Sequence, residues 1–255
     1  MSLEIQNITP VIIAKDAQST IQETLDSLVD FSEVILYLNN SNDDTHTIAS
    51  NYQNIKIIDG EFSGFGPTKN KASEFSSNEW ILSLDSDEVI PQQLFQEIAK
   101  LELKNKKEVF VLKRDNYFFD KKIKHSGWGD DYLTRIYNKT YHNFCENLVH
   151  EFVELKEDAK KTSLTNSFKH NAVENINQFL TKSMKYSDLA SKDKSTCSYT
   201  IVILKGFFAF FKTYVLKLGF LDGWQGIFIA SSNSYSKFFR YTKRYLNCKK
   251  NKANK

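Results

Sequence analysis

The sequence is poor in cysteine, with three among 255 residues and no closely spaced CxxC pair. Cys145, Cys197 and Cys248 lie far apart in the chain, so their spacing predicts neither a zinc site nor a disulfide framework. A cysteine content this low is typical of a protein from a reducing compartment.

A secretory leader is also missing, because no charged N-terminal segment precedes an apolar run. We therefore expect a cytoplasmic protein. Internal repeats are absent, and low complexity is confined to the last eight residues, which are rich in Lys and Asn. Hydrophobic residues make up 41% of the chain, which suffices for one α/β domain with a sizeable core and an appendage.

Acidic residues are scarce at one end of the sequence. Residues 201–255 carry eleven Lys or Arg and a single acid, Asp222, whereas residues 1–200 carry 23 bases and 30 acids. A basic end is typical of a solvated tail or of a segment attracted to a polyanion. Because no recognised DNA- or RNA-binding motif accompanies these charges, we expect no nucleic-acid partner and favour an anionic membrane surface.

Residues 201–221 are apolar and about as long as a membrane span. They contain Lys205, Lys212 and Lys217, each of which is costly at the centre of a bilayer. We therefore expect a helix that lies in the membrane interface or packs on the domain, and not one that crosses the bilayer. The aromatic residues of this segment fit core packing and membrane contact equally well.

Short apolar runs alternate with amphipathic stretches over the first hundred residues, which predicts βα units and a mostly parallel sheet. The predicted strands are residues 9–14, 34–38, 55–58 and 80–84, and the predicted helices are residues 45–52, 68–75 and the segment after Pro91. Further along, the pattern predicts strands at 109–113 and 132–137 and a helix at 172–190.

The fourth predicted strand ends in two aspartates separated by one residue, Asp85 and Asp87. In open α/β sheets, ligands bind outside the carboxyl ends of the strands. Carboxylate oxygens suit Mg²⁺, which often completes its shell with substrate phosphates. The spacing predicts that one aspartate meets a metal ion and the other a nucleotide, although a short acidic turn is also a common solvated feature.

The order of these motifs resembles glycosyltransferase family 2, with its GT-A fold. Within the family the chain resembles the subgroup that adds glucose to the inner core of lipopolysaccharide, described as β-1,4-glucosyltransferases. The resemblance covers about residues 8–245 and rests on PVIIAKDAQSTIQETLDSL, EVILYLNNSNDDT, GFGPTKNKA, WILSLDSDEVI, HSGWGDDYLTRIY, NLVHEFVEL, YVLKLGFLDGWQGIFIA and YSKFFRY.

The resemblance implies an α/β GT-A fold with a mostly parallel central sheet. The catalytic domain would span residues 1–165, with a nucleotide-sugar half at about 1–104 and an acceptor half at about 105–165. Residues 166–255 would form a helical, basic, membrane-associating region.

The donor half carries the implied nucleotide contacts. Ala14 and Lys15 would border the uracil and ribose, and Asp43 would flank the base. The family's Asp at the end of the second strand is replaced by Leu38, with Asn39 next, so base recognition would rely on Asp43 or on backbone groups.

Four further residues would handle the diphosphate and the metal ion. Lys69 and Asn70 would approach the diphosphate, where a cation offsets phosphate charge. Asp85 would contact the ribose or sugar, and Asp87 would be the main ligand of Mg²⁺ or Mn²⁺.

The acceptor half would supply the catalytic groups. Asp131 matches the family's catalytic base, Arg135 its arginine on the following strand, and His150 with Glu151 its VHE element. The usual Tyr-Pro pair before the base is missing, and an acid, Asp130, precedes Asp131. Asp130 and Glu151 are therefore rivals for the role of base.

The implied activity is inverting transfer of a hexose, expected to be glucose, from a UDP-sugar to a glycan or lipid-linked acceptor, the inner core of lipopolysaccharide or lipooligosaccharide. The metal ion would neutralise the leaving diphosphate, and the base would take the proton of the acceptor hydroxyl. We expect this enzyme on the inner face of the cytoplasmic membrane, held by its basic region.

Other functions stay open. The acceptor could be another surface glycan or a polyprenyl phosphate, or the chain could be a non-catalytic scaffold that binds sugar nucleotides. A nucleotidyltransferase is disfavoured, because no glycine occurs in the segment from Ala14 to Ala17. His125 and His150 lack a second His at ligand spacing, so a structural role is favoured for both. Trp128 fits a sugar platform or a core aromatic.

Overall fold

The computed structural model describes residues 3–146, 151–191 and 194–253, in two compact units. The sheet unit contains Met1–Asp115 and Asp131–Asn171, and the helical unit contains Asn116–Asp130 and Ala172–Lys255. This division differs from the predicted boundary at residue 165 in two ways. A long strand keeps residues 166–171 in the sheet unit, and residues 116–130 group with the C-terminal region.

Four strands form the parallel half of the sheet in the sheet unit. They lie in the order β3-β2-β1-β4. The middle strands are buried along almost their whole length, as expected for parallel strands covered on both faces, and all four lie where apolar runs predicted them. Their bounds are β1 Ile8–Ala14, β2 Val34–Leu38, β3 Ile55–Asp59 and β4 Trp80–Asp85.

Four short helices connect and cover these strands. Each buries one side, as Leu94 and Ile98 do in the helix that follows Pro91. The hydrophobic clusters contain side chains from the strands and from these helices, which positions the strand ends rigidly. The helices are α1 Ile21–Asp26, α2 Thr45–Ala49, α3 Phe65–Glu74 and α4 Gln92–Ile98.

The other half of the sheet contains antiparallel pairs, so the sheet as a whole is mixed, with its parallel half where the sequence predicted parallel strands. β8 pairs with both β4 and β6, and β11 pairs with β5. Antiparallel strands need no crossover helix, and none separates β6 from β8. The strands of this half are β5 Glu88–Val89, β6 Glu108–Phe118, β7 Lys121–Lys122, β8 Tyr132–Asn138 and β11 Lys160–Val173. Two further strands, β9 Asn143–Phe144 and β10 Val153–Glu154, pair with each other in a separate two-stranded sheet.

The helical unit is built around one long helix, α7, and two shorter ones, α5 and α6. Gly206 allows α6 to approach α7 closely, because a Cβ there would lie 3.3 Å from the Phe238 side chain. α6 continues as a π-helical segment, Lys212–Leu216, and a 3-10 turn follows at Gly219–Asp222. The helices are α5 Ile176–Leu189, α6 Tyr199–Phe211 and α7 Trp224–Ala253.

A disulfide joins Cys197 to Cys248, with their Cα atoms 5.4 Å apart, which corrects the prediction that the cysteines form none. The partners are 51 residues apart in sequence, and only the return of the chain along α7 brings them together. Because disulfides persist mainly in oxidising compartments, the cysteines no longer support the expectation of a reducing one.

Among the described residues, Tyr199–Leu216 is the helical stretch with the length and apolar composition to cross a membrane. Only 17% of it is buried within the protein. Large apolar side chains are therefore exposed on this stretch, and Phe207 is 69% exposed.

Candidate functional site

The carboxylate of Asp85, at the end of β4, lies between two cations. Lys69 Nζ donates to Oδ1 at 2.8 Å, and Arg135 Nη2 donates to Oδ2 at 3.3 Å. Burial alone would raise the pKa of Asp85, but Lys69 and Arg135 hold it well below its ordinary value. Asp85 is therefore an anion at neutral pH, and with 34% of its side chain exposed it can still meet a ligand.

Lys69 is 2% exposed on α3, and a buried ammonium group needs anionic partners. It has two, because its Nζ also donates to Glu151 Oε1 at 3.0 Å. Asn70, the next residue, bonds the backbone of Phe144 in both directions, at 2.9 and 2.8 Å, and so fastens β9 to α3. Contact of Lys69 or Asn70 with a diphosphate stays a prediction.

Glu88 joins several residues of the site through hydrogen bonds, although the sequence analysis predicted no separate role for it. Its side chain is fully buried and accepts hydrogen bonds from Arg135 and, at 3.4 Å, from Arg114. Its second oxygen accepts the backbone N–H of Asp85 at 2.9 Å. Glu88 thereby fixes the turn that presents both aspartates of the DxD motif.

Asp131, the predicted base, is held by Arg114 of β6. Nε and Nη2 of Arg114 each lie 2.8 Å from Oδ2 of Asp131, and the two residues also share a backbone hydrogen bond of 2.7 Å. The Asp131 side chain is 27% exposed, so it is oriented yet open to a ligand. The sequence did not single out Arg114, because no local motif marks it.

Asp87 lies beside His170, whose Nε2 is 3.6 Å from Oδ2 of the aspartate. The pairing of β11 with β5 sets His170 opposite Glu88, and the N–H of Asn171 donates to the backbone oxygen of Asp87 at 2.9 Å. Sequence reasoning missed His170, because only this register brings it to the DxD turn.

A carboxylate suits Mg²⁺ and Mn²⁺, and an imidazole is a common ligand of transition-metal ions. Among the described residues, no group of three or more His, Cys, Asp or Glu side chains is placed to hold an ion unaided. A metal ion held by Asp87 and His170 would therefore need further ligands from substrate oxygens and water.

The predicted base-flanking loop is fixed by Asp43. Its carboxylate accepts the N–H of Gln18 at 2.9 Å and the N–H of Thr45 at 3.1 Å, which joins the loops after β1 and β2. Burial would raise the pKa of Asp43, but these hydrogen bonds and one from the Thr45 hydroxyl lower it. The carboxylate is thus already used within the protein.

Asn39 follows β2, next to the end of β1. Its N–H donates to the backbone oxygen of Ala14 at 2.9 Å, and Lys15 is exposed beside it. The Asn39 side chain is 5% exposed, and within the described structure its Oδ1 has no hydrogen-bond partner. A buried acceptor without a partner is costly, which marks this position for a ligand donor.

The remaining predicted residues are distributed as follows. His150 lies outside the described residues. Asp130 belongs to the helical unit, whereas its rival Asp131 belongs to the sheet unit. In the helical unit the backbone N–H of His125 donates to Asp222 at 3.2 Å, and the Trp128 ring lies 6.2 Å from that of Phe179. Both contacts are structural.

Comparison with known proteins gives a family match over most of this arrangement. The sequence model of Glycosyl transferase family 2 matches residues 9–163, which is more than half of the chain. The match includes β1–β4, the DxD turn and Asp131.

The chain is similar to an uncharacterized glycosyltransferase of Rickettsia felis, 25% identical over 93% of this chain and 89% of the relative. An uncharacterized glycosyltransferase of Rickettsia conorii is 24% identical over the same shares. Among solved structures, S. aureus TarS in complex with UDP is 15% identical over 96% of this chain and 91% of TarS, with a TM-score of 0.47. That likeness is too distant to assign a ligand here.

Proposed function

Because this chain belongs to glycosyltransferase family 2 and has its α/β GT-A-like fold, we propose that it transfers a hexose, glucose by preference, from a UDP-sugar to a glycan acceptor. One observation carries the proposal. Asp85, Asp87 and Asp131 lie in one unit, and buried or half-buried cations orient two of them. A metal-assisted transfer needs these groups, and a folded scaffold does not.

The donor diphosphate would lie at the DxD turn. Asp87 and His170 would hold Mg²⁺ or Mn²⁺, whose charge would offset the negative charge that develops on the departing UDP. Asp85 is already anionic and fixed, so it would accept hydrogen bonds from ribose or sugar hydroxyls. Lys69 would hold Asp85 and Glu151 in place, since it already forms an ion pair with each.

The uracil base would lie by the ends of β1 and β2. Asn39 Oδ1 offers a buried acceptor, which matches the N3–H donor of uracil. Asp43 is the alternative predicted from sequence, but its carboxylate already accepts hydrogen bonds from the backbone N–H groups of Gln18 and Thr45. Ala14 and Lys15 would border the base and the ribose from the neighbouring strand.

The acceptor hydroxyl would lose its proton to Asp131, because Arg114 fixes the orientation of this carboxylate while 27% of the side chain stays exposed. Glu151 is the weaker alternative, since its side chain is 19% exposed, less than the 27% of Asp131. Asp130 stays the second alternative. Attack of the hydroxyl on the anomeric carbon, with UDP leaving on the opposite side, inverts the configuration.

The acceptor we propose is the inner core of lipopolysaccharide or lipooligosaccharide, assembled at the inner face of the cytoplasmic membrane. The exposed apolar side chains of Tyr199–Leu216 and the positive charge of residues 201–255 support a peripheral position there. Lys205 and Lys212 within the stretch disfavour a full span. Another surface glycan and a polyprenyl phosphate are the alternative acceptors.

A donor-hydrolysis screen tests the proposal. The purified chain is incubated with Mg²⁺ or Mn²⁺ and a panel of UDP- and GDP-sugars, and the released nucleotide is measured. We expect metal-dependent release of UDP, fastest from UDP-glucose. Binding of UDP-sugars without any hydrolysis or transfer would favour the scaffold alternative, and preference for GDP-sugars would contradict the base-site assignment.

A further inference from the structure

A cavity of about 430 Å³ in the helical unit is lined by five cationic side chains and by no acidic one. It lies among α6, the π-helical segment Lys212–Leu216 and α7. We call it the basic cavity. Its cations are Lys205, Lys212, Lys217, Lys237 and Arg240.

These cations have no counter-charge within the described part of the chain. The ion pair of the helical unit nearest to them in sequence joins Lys243 to Asp188, and neither residue lines the cavity. Asp222 is committed elsewhere, because its carboxylate accepts the backbone N–H groups of Lys124 and His125. Among the described residues, five positive charges therefore converge on one concavity without an acidic side chain to neutralise them.

Two of the cavity's cationic side chains, Lys237 and Arg240, lie in an unfavourable environment. Burial lowers the pKa of Lys237, and the positive charges of Arg240, Arg244, Lys205 and Lys212 lower it further. Arg240 Nε is buried and has no hydrogen-bond partner among the described atoms. Such repulsion costs stability in the free protein, and a bound anion would relieve it.

A solvated basic helix face would not produce this geometry. The cations come from α6, from the π-helical segment and the residue after it, and from α7, and they line one cavity. The same cavity contains polar groups suited to an anion: Thr213, Asn233 and Ser236. Lysine and arginine with hydroxyl and amide donors are the groups that bind phosphate oxygens.

We propose that the basic cavity binds a phosphomonoester or diphosphate group carried by a lipid. The lipid part of the assignment comes from the same helix, where Leu204, Phe207 and Phe211 are exposed beside Lys205 and Lys212. An acyl or prenyl chain could lie on these side chains while its phosphate occupies the cavity. The inference rests on the proposed membrane location and adds to it a specific headgroup site.

The test is vesicle binding by the full chain, with a cavity variant and a charge-matched control. The cavity variant is Lys237→Gln with Arg240→Gln, and the control is Lys250→Gln with Lys252→Gln, which removes the same charge outside the cavity. Vesicles contain phosphatidylcholine alone, with phosphatidylserine, or with phosphatidic acid at matched total charge. A phosphomonoester carries up to two charges on one compact group, which the cavity should recognise.

We expect wild type and control to prefer phosphatidic acid over phosphatidylserine by about tenfold, corresponding to about 1.4 kcal/mol, and the cavity variant to lose that preference. Inorganic pyrophosphate should compete. If pyrophosphate raises the melting temperature of wild type and control only, without selective vesicle binding, the site takes a soluble phosphate. Equal losses in both variants, or no preference in wild type, would overturn the inference and leave only general surface charge.

Donor hydrolysis, measured on the same preparations, separates this inference from the proposed function. The cavity variant should keep the wild-type rate of UDP-sugar hydrolysis in the absence of lipid. Selective phosphatidic acid binding by a chain that hydrolyses no donor would refute the proposed activity and keep the phosphate site. Normal hydrolysis of the donor without a preference for phosphatidic acid would keep the proposed activity and refute the phosphate site.

Discussion

Replacement of Lys69 by Met tests how far the ion pairs of Lys69 with Asp85 and Glu151 stabilise the site. Lys69 is 2% exposed and donates to Asp85 at 2.8 Å and to Glu151 at 3.0 Å, so its loss removes the cation of Glu151 and leaves Asp85 with Arg135 alone. Removing one partner of a fully buried ion pair costs about 3–5 kcal/mol. Asp85 and Glu151 are 34% and 19% exposed, so water compensates in part, and we expect about 2–3 kcal/mol.

The pH dependence gives the sharper readout. Lys69 holds the pKa of Asp85 below its ordinary value. The ion pair between them therefore stabilises the folded protein above the unfolded pKa of Asp85, about 4, and this stabilisation is lost as pH falls through the folded pKa. The stability gap between wild type and Lys69→Met should therefore be widest at neutral pH and narrow in acid.

Urea denaturation at neutral and acidic pH measures this gap, with Lys71→Met as the control. Lys71 lies on the same helix and is exposed, so its replacement should change stability by less than about 0.5 kcal/mol at either pH. A Lys69→Met protein as stable as the control, or a gap that widens in acid, would refute the ion-pair reasoning.

Three further predictions concern the catalytic base, the binding of uracil and the pH dependence of stability. Asp131→Asn should lower kcat by about 100-fold or more and leave donor affinity unchanged; a loss confined to affinity would move the base elsewhere. Asn39→Leu should weaken UDP binding about tenfold by calorimetry, whereas unchanged affinity would refute a uracil contact. Hydrogen bonds from Thr165 and Asn166 outweigh burial and lower the pKa of Glu97. Glu97→Gln should therefore cost about 1 kcal/mol at pH 7 and progressively less below the ordinary Glu range; a constant cost would contradict this.

The parallel half of the sheet was predictable because fully buried strands must be apolar runs. β2 was predicted with its observed bounds, and β1 and β4 to within a residue. β11 was not predicted, since polar residues dominate Lys160–Val173 and its few buried apolar ones follow no strict alternation. Its strand conformation comes from pairing within the sheet, which a local pattern does not contain.

The same distinction, between local patterns and strand pairing, separates the site residues that sequence could indicate from those that it could not. Asp85 and Asp87 could be proposed from sequence because a strand-end rule applies to a local motif. Arg114 and His170 were not, because they lie on antiparallel strands whose register sets their neighbours. The disulfide between Cys197 and Cys248 likewise depends on a chain reversal that sequence spacing does not reveal.

Hydrolysis of a UDP-sugar by Asp87→Ala, with Asp30→Asn as control, tests the central claim most directly. Asp30 is an exposed acid before β2, at the opposite end of the strands, so its replacement should leave the rate unchanged. Folded Asp87→Ala should lose at least about 100-fold in Mn²⁺- or Mg²⁺-dependent release of UDP, because the leaving diphosphate loses its charge partner. A folded Asp87→Ala protein that keeps the wild-type rate, or a wild type that is fully active in chelator, would contradict the account.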